Sequence, residues 1–139
     1  MSKGTPAVKK KVMKAEFVDI LAHPILPGDH IKEVLYTADN FHVWIHGDMP
    51  GTVGPMHRHI ADQIFYCIKG ECTFRFPDGS SEKLKPGMVV TIPKGQLYQL
   101  DNTGPEYMVM LGSRAEPAGK PRMSADNRDL NDKTVKATA

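Results

Sequence analysis

The sequence predicts an all-β domain of short antiparallel strands. Turn-forming pairs at Asp39-Asn40, Lys69-Gly70, Asp78-Gly79, Pro86-Gly87, Lys94-Gly95 and Thr103-Gly104 punctuate the middle of the chain, a cadence too quick for helices. The runs between them favour β-branched and aromatic residues, which suit a pleated, half-buried surface. A chain of 139 residues has room for one compact domain of ordinary size.

Taken in order, strands are expected at Ile31 to Tyr36, Phe41 to His46, Gln63 to Ile68, Cys72 to Phe76, Val89 to Ile92, Tyr98 to Leu100 and Tyr107 to Leu111. Residues 1–15 carry Lys3, Lys9, Lys10, Lys11 and Lys14 and read as a basic, flexible arm. Residues 16–112 form the strand-rich body; Glu16 to Leu21 reads either as part of the mobile start or as an edge or exchanged strand. From Ser113 onward the periodic apolar residues stop, so residues 113–139 read as a loose polar tail.

Composition excludes several functions. The net charge of +2 is near neutral and its basic excess sits at the ends, so no nucleic-acid groove is expected. No apolar run approaches the roughly 20 residues a membrane helix needs, and Met1-Ser2-Lys3-Gly4 leads into no apolar leader. A soluble, cytoplasmic protein is the expectation. The two cysteines, Cys67 and Cys72, would stay reduced there and serve as small buried apolar side chains; the alternative is a strained cross-strand disulfide, which a two-residue turn at Lys69-Gly70 permits but does not favour.

The chemistry concentrates in His57-Arg58-His59-Ile60-Ala61-Asp62-Gln63. Strand side chains alternate between faces, so His57, His59 and Gln63 share one side while Arg58 and Asp62 point to the other. Two neutral imidazoles and an amide oxygen converging on one spot suit a divalent transition metal, with Fe, Mn, Ni, Zn and Cu all compatible. If Lys69-Gly70 is a two-residue turn, the hairpin sets Phe65 against Phe74 and Gln63 against Phe76, and the metal face looks into a phenylalanine-rich pocket. Phe65, Phe74 and Phe76 are then substrate-binding candidates. Ile64, Tyr66 and Ile68 form an apolar outer face, to be covered by a second subunit or by the segment around Phe17 to Leu21.

These residues resemble a known family. His57-x-His59, then Gln63 and Gly70-Glu71 behind Gly51 or Gly54, is similar to the first signature of the cupin superfamily; Gly87, Pro93-x-Gly95, Tyr98 and Asn102 match the spacing of the second. The resemblance implies a single-domain jelly-roll barrel of antiparallel strands with the site inside its open end. The family's usual ligands are two histidines, a glutamate and a third histidine. Here Gln63 stands at the glutamate position and Tyr98 at the last histidine. A carboxamide oxygen can still ligate, but the lost charge weakens the hold on a cation. Tyr98 is open to three readings: a phenolate ligand, a catalytic hydroxyl that moves a proton beside the metal, or a satisfied space-filler.

A replacement imidazole could come from His42 or His46, which share a face with Trp44 and are further substrate-binding candidates. Phe41, Val43 and Ile45 make the better core face, however, which would leave that stripe outside. His23 and His30 read as loop residues, and Asp62 would reach the metal only through a strand slip. The functional expectation is a homodimeric, metal-binding cupin acting on a small oxygenated organic substrate, as a dioxygenase or as a lyase or isomerase using the metal as Lewis acid. The alternative is a binding module for a carbohydrate or metabolite that uses the same residues without turnover.

Overall fold

The computed structural model describes residues 15–22 and 31–131. Ten strands follow one short 3-10 turn at Ile20–Ala22: β1 Ile31–Thr37, β2 His42–Asp48, β3 His57–Arg58, β4 Gln63–Lys69, β5 Cys72–Arg75, β6 Ser81–Leu84, β7 Val89–Ile92, β8 Gln99–Asp101, β9 Met108–Arg114 and β10 Met123–Ser124. The expected all-β class holds, with each of the seven expected strands found within a residue or three of its ends. No helix of the described residues is long and apolar enough to cross a membrane.

A five-stranded antiparallel sheet in the order β1-β2-β9-β4-β7 faces a smaller one of β6-β5-β8. Backbone hydrogen bonds in both directions between His57 and Tyr98, at 2.9 Å each, tie β3 beside the entry to β8, and β10 pairs with β3 in turn. The interior between the two sheets is filled by Trp44, Phe65, Cys67, Cys72, Phe74, Leu84, Ile92, Tyr98, Leu100, Met108 and Met110. Both cysteines are buried free thiols, as expected.

The expected β4–β5 hairpin is not formed. β4 pairs with β7 and β9, whereas β5 pairs with β6 and β8, so the chain changes sheets at Gly70. Gly70 has φ +74°, and a β-carbon there would stand 2.8 Å from Met108 Cα, so the corner requires glycine. Phe65 and Phe74 still meet, with ring centroids 5.7 Å apart, but they do so across the core rather than along a ladder.

Three other expectations need correction. The His42/Trp44/His46 face of β2 points to the cavity side, with His42 and Trp44 buried; on the other face Ile45 is fully buried, as expected of a core position, but Phe41 is exposed. Residues 113–131 are not loose but fold back over the barrel, burying Arg114, Glu116, Ser124 and Leu130. Polar side chains secure that return, with Thr37 Oγ1 accepting from Ala118 N at 2.9 Å and Ser124 Oγ accepting from Arg128 N at 2.9 Å. Phe17 is 95% exposed and its segment forms no strand, so it does not cover Ile64 and Tyr66, which remain partly open. His23 and His30 lie outside the described residues.

Candidate functional site

His57 on β3, His59 just past its end, Gln63 at the start of β4 and Tyr98 just before β8 all turn to the interior, each less than one-tenth exposed. The chain bends at Ile60 and Ala61, so the expected single strand from His57 to Gln63 is broken between the second histidine and the glutamine. The His57 and His59 rings stand 4.9 Å apart and nearly perpendicular, and His57 lies 4.4 Å from the Tyr98 ring. His57 Nδ1–H donates to Pro55 O at 2.9 Å, which leaves Nε2 as an acceptor or ligand. His59 Nδ1 is buried with no hydrogen-bond partner among the described residues. Burial is the main cause that pushes both imidazoles down, His57 to about 4 and His59 to about 2, so both are neutral at physiological pH.

A cavity of about 260 Å³ opens beside them. His57, His59 and Tyr98 form one wall, and Trp44, Phe65 and Leu100 supply much of the apolar lining. Lys32, Arg114 and Arg122 also reach it, as do His46 and Asp48. His46 Nε2–H donates to Asp48 Oδ2 at 2.7 Å, fixing that ring against the carboxylate. Of the expected substrate-binding residues, Phe65 and His46 therefore line the cavity. Phe74 packs behind the wall against Tyr98 at 5.9 Å. Phe76 is partly buried against the core and borders a separate pocket beside Pro77 and Asp78, and His42 is turned to the Glu116 carbonyl, which accepts from its Nδ1 at 2.7 Å.

Sequence reading missed Arg114. Gln63 and Arg114 are direct partners in the β4–β9 ladder, so their side chains share the inner face. Arg114 Nε donates to Gln63 Oε1 at 3.0 Å, and Gln63 Nε2 donates to Tyr98 Oη at 3.0 Å, all buried. Gln63 consequently faces this pair and does not form part of the cavity wall. Burial lifts the Tyr98 hydroxyl to about 12 despite the opposing pull of Arg114 and Gln63, so these surroundings favour the protonated phenol. The guanidinium itself lies 4.6 Å over the Trp44 ring and 3.7 Å from Glu116 Oε2. A signal was present in the sequence: Met108, Met110 and Gly112 step along the inner face of β9, and Arg114 is the next residue of that series.

The family described as Cupin domain matches residues 44–112, the stretch holding this entire imidazole and tyrosine cluster. This chain is a cupin. An auxin-binding protein of Nicotiana tabacum is 29% identical to it over 93 residues, covering 60% of this chain and 48% of that protein. The cupin thus spans about half the length of that relative. Among solved structures it resembles an uncharacterized conserved protein with a double-stranded beta-helix domain from Klebsiella pneumoniae, with TM-score 0.66 and 20% identity over 77% of this chain and 95% of that one. A DMSP lyase from Ruegeria pomeroyi is similar at TM-score 0.61 and 17% identity, over 71% and 53% of the two chains. At these identities the structural likeness concerns the fold.

Cupins commonly bind divalent metals, and the donors of this cupin fit such an ion poorly. Two neutral imidazoles are ready, but the third expected donor, Gln63 Oε1, is already committed to a guanidinium. Among the described residues no three His, Cys, Asp or Glu side chains converge as a ligand set. Lys32, Arg114 and Arg122 all act to keep His57 and His59 unprotonated, and the same positive field opposes a cation. What the site can do with its own groups is donate and accept hydrogen bonds in a half-apolar enclosure.

Proposed function

We propose that this cupin is a small-molecule-binding protein that encloses an organic ligand in the cavity beside His57, His59 and Tyr98 and holds it by hydrogen bonds and apolar contact, without a resident metal. The observation that carries the reading is the buried bond from Arg114 to Gln63 Oε1, which fills the third donor position with a cation. Trp44, Phe65 and Leu100 give the ligand apolar walls, and the paired imidazoles offer neutral polar contacts. Similarity to an auxin-binding protein supports a binding role.

A second reading is a metal-dependent enzyme, dioxygenase, lyase or isomerase, in which His57 and His59 ligate the ion. Its support is the pair of neutral imidazoles and the unpartnered His59 Nδ1. Metal content of protein purified without chelator decides between them. Native protein and His57→Ala equally free of Fe, Mn, Ni, Zn and Cu support the binding module. Stoichiometric metal that disappears in His57→Ala overturns it in favour of the enzyme.

A further inference from the structure

Three nitrogen atoms at the cavity share an unusual property. Trp44 Nε1, Arg122 Nε and His59 Nδ1 are buried, belong to cavity-lining residues and have no hydrogen-bond partner among the described residues. Leaving a buried polar atom unpaired is costly, so three such atoms on residues that line one small cavity favour a ligand that completes them. Two of the three fix its chemistry, because an indole N–H and a guanidinium N–H can only donate. The completing group must therefore be an acceptor.

Charge narrows the class further. Lys32, Arg114 and Arg122 border the cavity as cations, while Asp48 lines it and Glu116 lies 3.7 Å from Arg114 as the facing carboxylates. Three cations against two carboxylates leave one positive charge to be matched. The Lys32 ammonium stands 5.3 Å over the same indole whose Nε1 is unpartnered, which draws its charge toward that donor. Beyond the charged end, Phe65 and Leu100 offer carbon surface, and about 260 Å³ suits a compact molecule.

We propose that the cavity is a binding site for a small organic monocarboxylate, its carboxylate accepting from Trp44 Nε1 and Arg122 Nε beneath the Lys32 ammonium, with its hydrocarbon or aromatic body against Phe65 and Leu100. This rests on the reading of the cavity as a small-molecule site. Charge-assisted bonds to a carboxylate are short and strong, and the guanidinium is suited to planar oxygen pairs.

Trp44 is the sole tryptophan, so its fluorescence reports directly on the site. Benzoate, benzamide and inorganic phosphate are titrated into the full-length protein by calorimetry and by that fluorescence. Benzoate is expected to bind at least tenfold more tightly than isosteric benzamide and than phosphate. Arg122→Gln, and separately Lys32→Gln at the exposed end of the site, should erase most of that preference while leaving the circular dichroism spectrum unchanged. Equal binding of benzoate and benzamide would overturn the carboxylate proposal and leave the small-molecule reading standing. Phosphate binding as tightly as benzoate would overturn it in favour of a general anion site. Failure of all three to bind or to perturb Trp44 would overturn both readings. A preference for benzoate that survives in both variants places the anion elsewhere and also sinks the proposal.

Discussion

Gly112 lies opposite Trp44 in the β2–β9 ladder, and a β-carbon at position 112 would overlap the indole, 2.5 Å from its Cε2. The missing side chain is what lets the indole lie flat across β9, where Arg114 and Lys32 reach its ring. Gly112→Ala is therefore expected to push Trp44 out of place and to destabilise the fold by about 1–3 kcal/mol, the usual cost of overpacking. Urea unfolding measures the stability, and the emission maximum of the lone tryptophan measures the displacement. An unchanged maximum together with unchanged stability would show that the sheet relaxes around the methyl group.

The site was half legible in the sequence, and the reasons lie in particular residues. Period-two alternation predicts that His57, His59 and Gln63 all turn inward, and all three are buried, but not along one strand: the chain bends at Ile60 and Ala61, so the two imidazoles reach the cavity while Gln63 meets Arg114 across the β4–β9 ladder. Pairing was harder. Lys69-Gly70 has the look of a hairpin turn, yet Gly70 serves a corner between sheets, and nothing local distinguishes the two uses of a left-handed glycine. On β2 the polar face proved to be the inner one because Arg114 and Glu116, distant in sequence, supply partners for Trp44 and His42. The tail was misjudged for the same reason: Ser124, Arg122 and Glu116 look like solvent residues until the strand they cover is known.

Tyr98→Phe tests the role of the phenol. The native hydroxyl is neutral and accepts from Gln63 Nε2, so its removal leaves a buried amide N–H without that acceptor. A loss of about 1–3 kcal/mol is expected, typical of an orphaned buried donor, with no change in bound metal. Thermal unfolding and elemental analysis of the same samples check both halves. Loss of a bound metal in the phenylalanine variant would instead make Tyr98 a ligand.

Acid should unfold this protein earlier than its carboxylates alone would dictate. In the unfolded chain His57 and His59 take up protons near 6.5, whereas in the fold burial holds them unprotonated down to about 4 and about 2. Across that interval the unfolded state binds more protons, so the stability present above pH 6.5 is lost as pH falls. At about 1.4 kcal/mol per unit, His57 alone accounts for about 3 kcal/mol by pH 4. Glu116 works in the opposite direction, since burial raises its carboxyl and favours the protonated form in the fold. Melting temperatures followed from pH 7 to 4.5 should drop steeply in the native protein and much less in His57→Gln/His59→Gln. Parallel curves for the two proteins would contradict the buried, neutral state of the pair.

The guanidinium at the third donor position yields the sharpest test of metal use. Gln63→Glu alone restores a carboxylate, but Arg114 stands across the ladder to capture it as a buried ion pair, so little gain in metal affinity is expected. Adding Arg114→Met removes the competing cation and leaves two neutral imidazoles with a free carboxylate, a donor set suited to zinc or ferrous iron. Zinc titration by calorimetry should therefore show weak binding by the native protein and by Gln63→Glu, and at least tenfold tighter binding by the double variant. Because Arg114→Met also leaves Glu116 without its partner at 3.7 Å, Arg114→Met/Glu116→Gln in the Gln63→Glu background serves as the better-folded companion. Native protein that binds zinc as tightly as either combined variant would show that the Arg114 bond to Gln63 is no obstacle to a metal.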